Sequence, residues 1–242
     1  MRITPVAAGA ALAVAGGIAF TSVVRPWYSR WGATDAEIDR VMPLDERIPD
    51  PTMSTTMAIT INARPEAIWP WLVQIGDPPR AGYYSYTWIE KLVGLDVQNA
   101  GRILPEFQAV EVGQALDRNG TMIVQAVDPG HSLVLGPPPS VDYLQCTWAF
   151  ALYPITERST RLVTRVRARF CYGDIMRGTP VYTWPTWLLI DPGAFIMERK
   201  MLHEIKRLAE SSQLTPYARA IAFDRAVARM ETGATIGAAV PG

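Results

Sequence analysis

The chain reads as an α+β domain in which a curved antiparallel sheet wraps around one long C-terminal helix, preceded by an N-terminal transmembrane helix. Three observations predict this. Beyond Pro105 the sequence breaks into short β-type runs separated by turn residues. From Ala194 to about Ser211 apolar residues recur at helical spacing, with Met197, Met201, Ile205 and Leu208 on one stripe and Arg199, Lys206, Arg207 and Glu210 off it. No charge falls between Arg2 and Arg25.

Composition bounds the function. At 242 residues, 49% hydrophobic and 19% charged, the chain is too apolar for disorder and suits one or two domains. Lys+Arg and Asp+Glu are both 23, so no basic field calls for nucleic acid. Two cysteines cannot build a disulfide framework, and two histidines without a Cys or His cluster speak against a structural zinc. The mean hydropathy of +0.07 is high for a soluble protein.

Residues 1–31 form the predicted anchor and interface. Ile3 to Val24 is long enough as a helix to cross a hydrocarbon core of about 30 Å. Its small residues permit helix association, and Arg25, Trp27, Tyr28, Arg30 and Trp31 supply the cations and rings expected where a helix leaves the bilayer. The rival is a cleaved signal peptide ending near Ala19-Phe20-Thr21. Arginines at 25, 30 and 40 lean toward a cytoplasmic domain, but the side stays open because long domains translocate regardless of such a bias.

Residues 32–52, polar and interrupted by Pro43, Pro49 and Pro51, read as a linker. The globular domain is expected over 53–212. Ser54 to Ile61 is a β-type run, and Pro65 opens a helix from Glu66 to about Ile75 that carries Ile68, Trp71, Leu72 and Ile75. After a Gly/Pro loop, Tyr83 to Val93 reads as an aromatic amphipathic helix. The meander follows as Met122 to Val127, Leu133 to Leu135, Tyr143 to Tyr153 and Arg161 to Tyr172, with Asn119-Gly120, Pro129-Gly130, the Pro137–Pro139 stretch and Glu157-Arg158-Ser159 as turns.

Parity in the last pair of strands separates Leu144, Cys146, Trp148, Phe150 and Leu152, and Leu162, Val166, Ala168 and Phe170, from a ladder of Arg161, Arg165, Arg167 and Arg169. One face should be buried and one wet, the arginines either solvated or lying against anionic lipid headgroups. Cys146 and Cys171 fall on opposite faces, which argues against a disulfide between them. Trp184 to Leu189 is an apolar run broken by Asp191-Pro192-Gly193 before the long helix. It reads as a membrane-dipping lip or as packing for the helix start. Residues 213–242 form a tail.

Strand, two short helices, meander and long helix is the order of a helix-grip fold. The segments from Trp31 to Glu37, from Pro65 to Gly76 (PEAIWPWLVQIG), from Gly82 to Tyr86 and from Met197 to Leu202 resemble the SRPBCC, or START-like, superfamily. Within it the chain is similar to bacterial, often membrane-tethered proteins labelled polyketide cyclase/dehydrase-like. The resemblance implies a deep apolar cavity between sheet and C-terminal helix, used across the superfamily for lipids, sterols, polyketides or hydrophobic hormones. It implies no reaction, no cofactor and no transferable catalytic residue.

Ligand-binding residues are therefore sought among aromatics and methionines. Trp69, Tyr84, Tyr86 and Trp88 could wall a cavity mouth or simply pack the core, and Trp148, Phe150 and Trp184 sit on apolar runs. Met197 and Met201 can fit an irregular ligand or fill core. Gln74 could orient a polar head, although a bond to local backbone is simpler. His131 and His203 have no nucleophile at a telling spacing. Glu198 could be a buried carboxylate with a shifted pKa, or it could pair with an arginine. Three readings follow: a membrane-anchored domain binding a hydrophobic small molecule, a cyclase- or hydratase-type enzyme on a polyketide-like substrate, and an accessory subunit of a larger membrane protein complex.

Overall fold

The computed structural model describes residues 15–17, 19–92, 97–141, 144–170 and 191–212. Its centre is a five-stranded sheet of β1 (Met53–Ile61), β2 (Ile123–Asp128), β3 (Ser132–Gly136), β4 (Leu144–Thr156) and β5 (Ser159–Phe170) in the order β1-β5-β4-β3-β2. Every neighbouring pair is antiparallel. The turn signals fall where the strands reverse: Gly130, at φ 80°, closes β2 onto β3, and Glu157-Arg158 closes β4 onto β5.

Among the described residues the sheet is accompanied by the α-helices α1 (Arg25–Ser29), α2 (Asp35–Asp39), α3 (Pro65–Val73), α4 (Thr87–Leu92) and α5 (residues 191–212). Pro65 starts α3 where its missing N–H is harmless. Thr34 and Glu37 form a reciprocal capping box on α2. The apolar stripe of α5, with Met201, Ile205 and Leu208 buried, packs with Leu202 against Ile59 and Ile61 of β1, Phe150 and Leu152 of β4, and Ile68 and Leu72 of α3.

Two local expectations need correction. Tyr83 to Tyr86 is not helical: Tyr84 sits at φ 56°, Asn99 Oδ1 accepts from its N–H at 2.7 Å, and Asn99 Nδ2 donates to the Ser85 carbonyl at 2.7 Å. That side-chain clamp replaces the first helical turn, and α4 begins only at Thr87. Asp191-Pro192-Gly193, expected as a break, is helical and belongs to α5, whose described residues begin at Asp191.

A larger correction concerns the outer face of the sheet, which is not wet. Residues 32–52 pack over it and do not form a free linker. Met42 is buried there against Ala58, Val134, Ala149, Ala151 and Val163. The arginine ladder holds this cover down, with Arg165 buried, Arg161 and Arg167 largely covered and Arg169 a third exposed. Arg165, 3% exposed, donates to Thr56 Oγ1 at 3.0 Å, to Asp45 Oδ2 at 2.5 Å, and to the carbonyls of Glu37, Ile38 and Arg40 at 2.8, 2.7 and 2.7 Å. Those carbonyls belong to the end of α2, where helix geometry leaves them without N–H partners. Arg161 Nε meets Glu37 Oε1 at 2.7 Å, Arg167 donates to the Ile48 and Pro49 carbonyls, and Arg169 Nε donates to the Asp50 carbonyl at 3.0 Å.

The N-terminal helix also docks on the domain. Arg25 Nε lies 2.8 Å from Asp191 Oδ2, Tyr28 stacks on Phe195 with centroids 5.4 Å apart, and Arg199 lies over the Trp31 ring. Residues read as bilayer-interface anchors thus contact α5. Among the described residues no helix is long and apolar enough to cross a membrane. Residues 1–14, which carry much of the predicted span, lie outside the described residues, as do Cys171, Trp184 and the rest of that apolar run, and the 213–242 tail. Cys146 is free, its thiol pushed up to about 11 by burial.

Removing one partner of a buried ion pair leaves the other uncompensated. Arg165→Ala is therefore expected to lower stability by about 3–5 kcal/mol, read as a shift of the urea midpoint, and to expose residues 32–50 to protease. Burial raises the Glu37 carboxyl, but the bonds from Arg161 and Thr34 outweigh it and hold the group below its ordinary 4.5. A depressed carboxylate stabilises fully above its unfolded value and loses that contribution as pH falls through the folded one. Melting temperature should accordingly fall as pH drops below about 4.5, and Glu37→Gln should flatten that decline.

Candidate ligand cavity

Alternation on β4 and β5 aims Trp148 and Val166, paired across the two strands, at the inner face. Helical spacing on α5 brings Ala194, Met197, Glu198 and Met201 onto one side opposite them. Between these walls lies a cavity of about 440 Å³, lined also by Met122 and by the polar side chains of two loops. Asp77, Tyr83 and Ser85 come from the loop after α3, and Asp117, Asn119 and Thr121 from the turn that Asn119-Gly120 makes before β2.

Glu198 is the ionisable group set into the apolar wall. Its Oε1 accepts from Thr164 Oγ1 at 2.9 Å and from Trp148 Nε1 at 3.3 Å, and the same indole N–H reaches Thr164 Oγ1 at 3.1 Å. Burial pushes the carboxyl above its ordinary value, and these two donors only partly oppose the shift. Its partners among the described residues are thus a hydroxyl and an indole. Oε2 has no hydrogen bond among the described residues. At the polar end Tyr83 donates to Asp77 Oδ1 at 3.1 Å, and burial first, then Asp77, raises the phenol.

The expected site residues divide by position. Trp148, Met197 and Met201 line the cavity. Phe150 lies behind Trp148, with ring centroids 4.9 Å apart, in the closed core. Tyr84 is fully buried in the core and lines no part of the cavity; it packs edge-on against Trp71. Gln74 is equally buried and spends its amide on the protein: it donates to Tyr84 Oη at 2.7 Å and the Arg102 carbonyl at 3.1 Å, and accepts from Leu104 N at 2.9 Å and Gln108 Nε2 at 3.2 Å. That leaves no group to orient a ligand. Trp69 packs half-buried against the core, while Tyr86 and Trp88 stand on the surface at 37% and 64% exposure. Asp77, Tyr83, Asp117 and Thr121 carry no periodic signal, because loops deliver them.

No known protein-family profile matches the chain, and no curated protein matches it. Among solved structures it is similar to a protein from Mesorhizobium loti (18% identity, TM-score 0.33, 66% of this chain and 98% of that one). It is also similar to an aromatase/cyclase from a Streptomyces species (13%, 0.37, 65% and 93%) and to a Polyketide_cyc-like protein from Corynebacterium glutamicum (12%, 0.37, 66% and 93%). At these scores the likeness bears on neither ligand nor reaction.

A carboxyl raised by folding contributes fully below its unfolded value, and that contribution disappears as pH rises through the folded one. Glu198→Gln keeps the oxygen that Thr164 and Trp148 donate to while removing the charge. The variant should therefore gain melting temperature relative to the unsubstituted chain as pH rises above about 4.5; a difference independent of pH would contradict the burial argument.

Proposed function

We propose that the chain is a START-like domain, tethered through the uncharged stretch from Ile3 to Val24, that takes a hydrophobic small molecule into the cavity beneath α5. The apolar body of a lipid or polyketide-like ligand would lie against Trp148, Met122, Val166, Met197 and Met201, with its polar end toward Glu198 and Tyr83. The cavity itself carries this reading: about 440 Å³ between sheet and helix, mostly apolar, with a few convergent polar groups. It falls in the lower part of the range of about 300–1,000 Å³ usual for small-molecule sites. A compact or single-chain molecule suits it better than a two-chain lipid.

Support for tethering comes from where α1 docks. Arg25 and Tyr28 engage Asp191 and Phe195 at the start of α5, one turn or less from Ala194 and Met197 on the cavity wall. An anchor leading into α1 would hold the cavity close to the bilayer, where a hydrophobic ligand is concentrated. The Glu198 carboxyl favours a second reading, acid–base chemistry of cyclase or hydratase type. A raised carboxyl inside a cavity gives up a proton as a neutral acid and takes one back as a base.

The test is mass spectrometry of organic extracts from the full chain in mild detergent, set beside Ala194→Trp, which fills the cavity from an exposed position on α5. A defined molecule enriched in the unsubstituted protein and depleted in the variant is expected. Identical bulk lipid in two equally folded preparations would overturn the cavity reading. Glu198→Gln that retains the molecule unchanged in mass, while the unsubstituted protein converts it, would favour the enzyme.

A further inference from the structure

A second pocket, of about 390 Å³, shares no lining residue with the ligand cavity. Arg80, Arg102 and Arg118 line it together with Gln98 and Asn99, and among the described residues no aspartate or glutamate does. Arg80 is 7% exposed and has no carboxylate partner among the described residues. Its Nε donates to the Ile75 carbonyl at 2.8 Å, its Nη2 donates to the Val73 carbonyl, and its face lies 4.9 Å from the centre of the Phe107 ring. These contacts hold the guanidinium in one orientation and leave Nη1 without a hydrogen bond among the described residues. Carbonyl dipoles satisfy N–H groups but do not neutralise the charge, and burial accordingly pulls the Arg80 pKa down.

Arg102 and Arg118 are exposed and make no ion pair among the described residues, and Arg118 Nε donates to the Pro78 carbonyl at 3.2 Å, which fixes it at the rim. Unpaired cations sharing a pocket repel one another, and a bound anion of more than one charge removes that repulsion. Guanidinium forks match the oxygens of such an anion. We propose that this pocket binds a phosphate-class oxyanion, the phosphate or pyrophosphate group of a free solute or of a lipid headgroup, between Arg80, Arg102 and Arg118. Three cations with no acidic residue among the described lining favour that class over a single carboxylate.

The experiment titrates the full chain in mild detergent with inorganic pyrophosphate by calorimetry. In parallel it measures, by calorimetry in the same detergent, binding of short-chain phosphatidic acid with short-chain phosphatidylcholine as the control. The variant is Arg102→Gln with Arg118→Gln, both exposed and outside the core, so its melting curve should stay close to that of the unsubstituted chain. Pyrophosphate binding that weakens about tenfold or more in the variant supports the site with a soluble ligand. Phosphatidic acid binding that phosphatidylcholine does not reproduce and that is lost in the variant, without pyrophosphate binding, supports it with a headgroup. Absence of both, or affinities unchanged in the variant, overturns it. The site stands whether or not the ligand cavity is filled.

Discussion

A guanidinium buried in the middle of a sheet face demands acceptors, and the organisation of this domain follows from how Arg165 finds them. Its partners are the carbonyls of Glu37, Ile38 and Arg40 at the end of α2, together with Thr56 and Asp45. Each side solves the other's problem: the helix end has carbonyls with no N–H to meet them, and the arginine has donors with no water. Residues 32–50 are thereby bound to the outer face, with Arg161, Arg167 and Arg169 fastening the cover on either side. Gly32, at φ 71°, lets the chain pass so close to Ala58 that any side chain there would collide with its carbonyl.

With the outer face sealed, the inner face is free to hold a helix away from itself. Leaving space under α5 costs packing, since wall atoms lose contacts, so the helix must be held by its ends. Arg25 with Asp191, and Tyr28 on Phe195, secure one end. Lys206 donating to the Thr60 carbonyl at 2.8 Å, and Asn62 N donating to Glu210 at 2.8 Å, secure the other. Between them the helix keeps Met197 and Met201, side chains adaptable enough for an irregular ligand, and sets Glu198 into the wall. The triangle of Glu198, Thr164 and Trp148 is a polar network inside an apolar layer, the kind of feature that raises the stakes of every bond in it.

Much of the frame was legible in the chain. Period-two alternation placed the strands, although β4 runs to Thr156, past its expected end at Tyr153; turn residues marked the β2–β3 and β4–β5 reversals, and the stripe of Met201, Ile205 and Leu208 marked the face of α5 that meets the sheet. Glu198 was visible as a carboxylate beside that stripe. The aromatic cluster misled, because Tyr84, Tyr86 and Trp88 look alike in sequence, yet Tyr84 lies in the core and the other two on the surface. A clamp from Asn99, 15 residues away, decides their placement.

Local spacing determined the helix-grip order of elements, the apolar inner face, and the side of α5 that carries Met197, Glu198 and Met201, because those depend only on periodicities of the chain. Tertiary structure decided what the arginine ladder binds, that residues 32–52 are a cover, which loop residues form the polar end of the cavity, and that Arg80, Arg102 and Arg118 share a pocket. Each of these joins positions with no common period, and the cover's ion pairs span more than a hundred residues. Charge and burial set such contacts only once the chain has closed, so no pattern along the sequence records them.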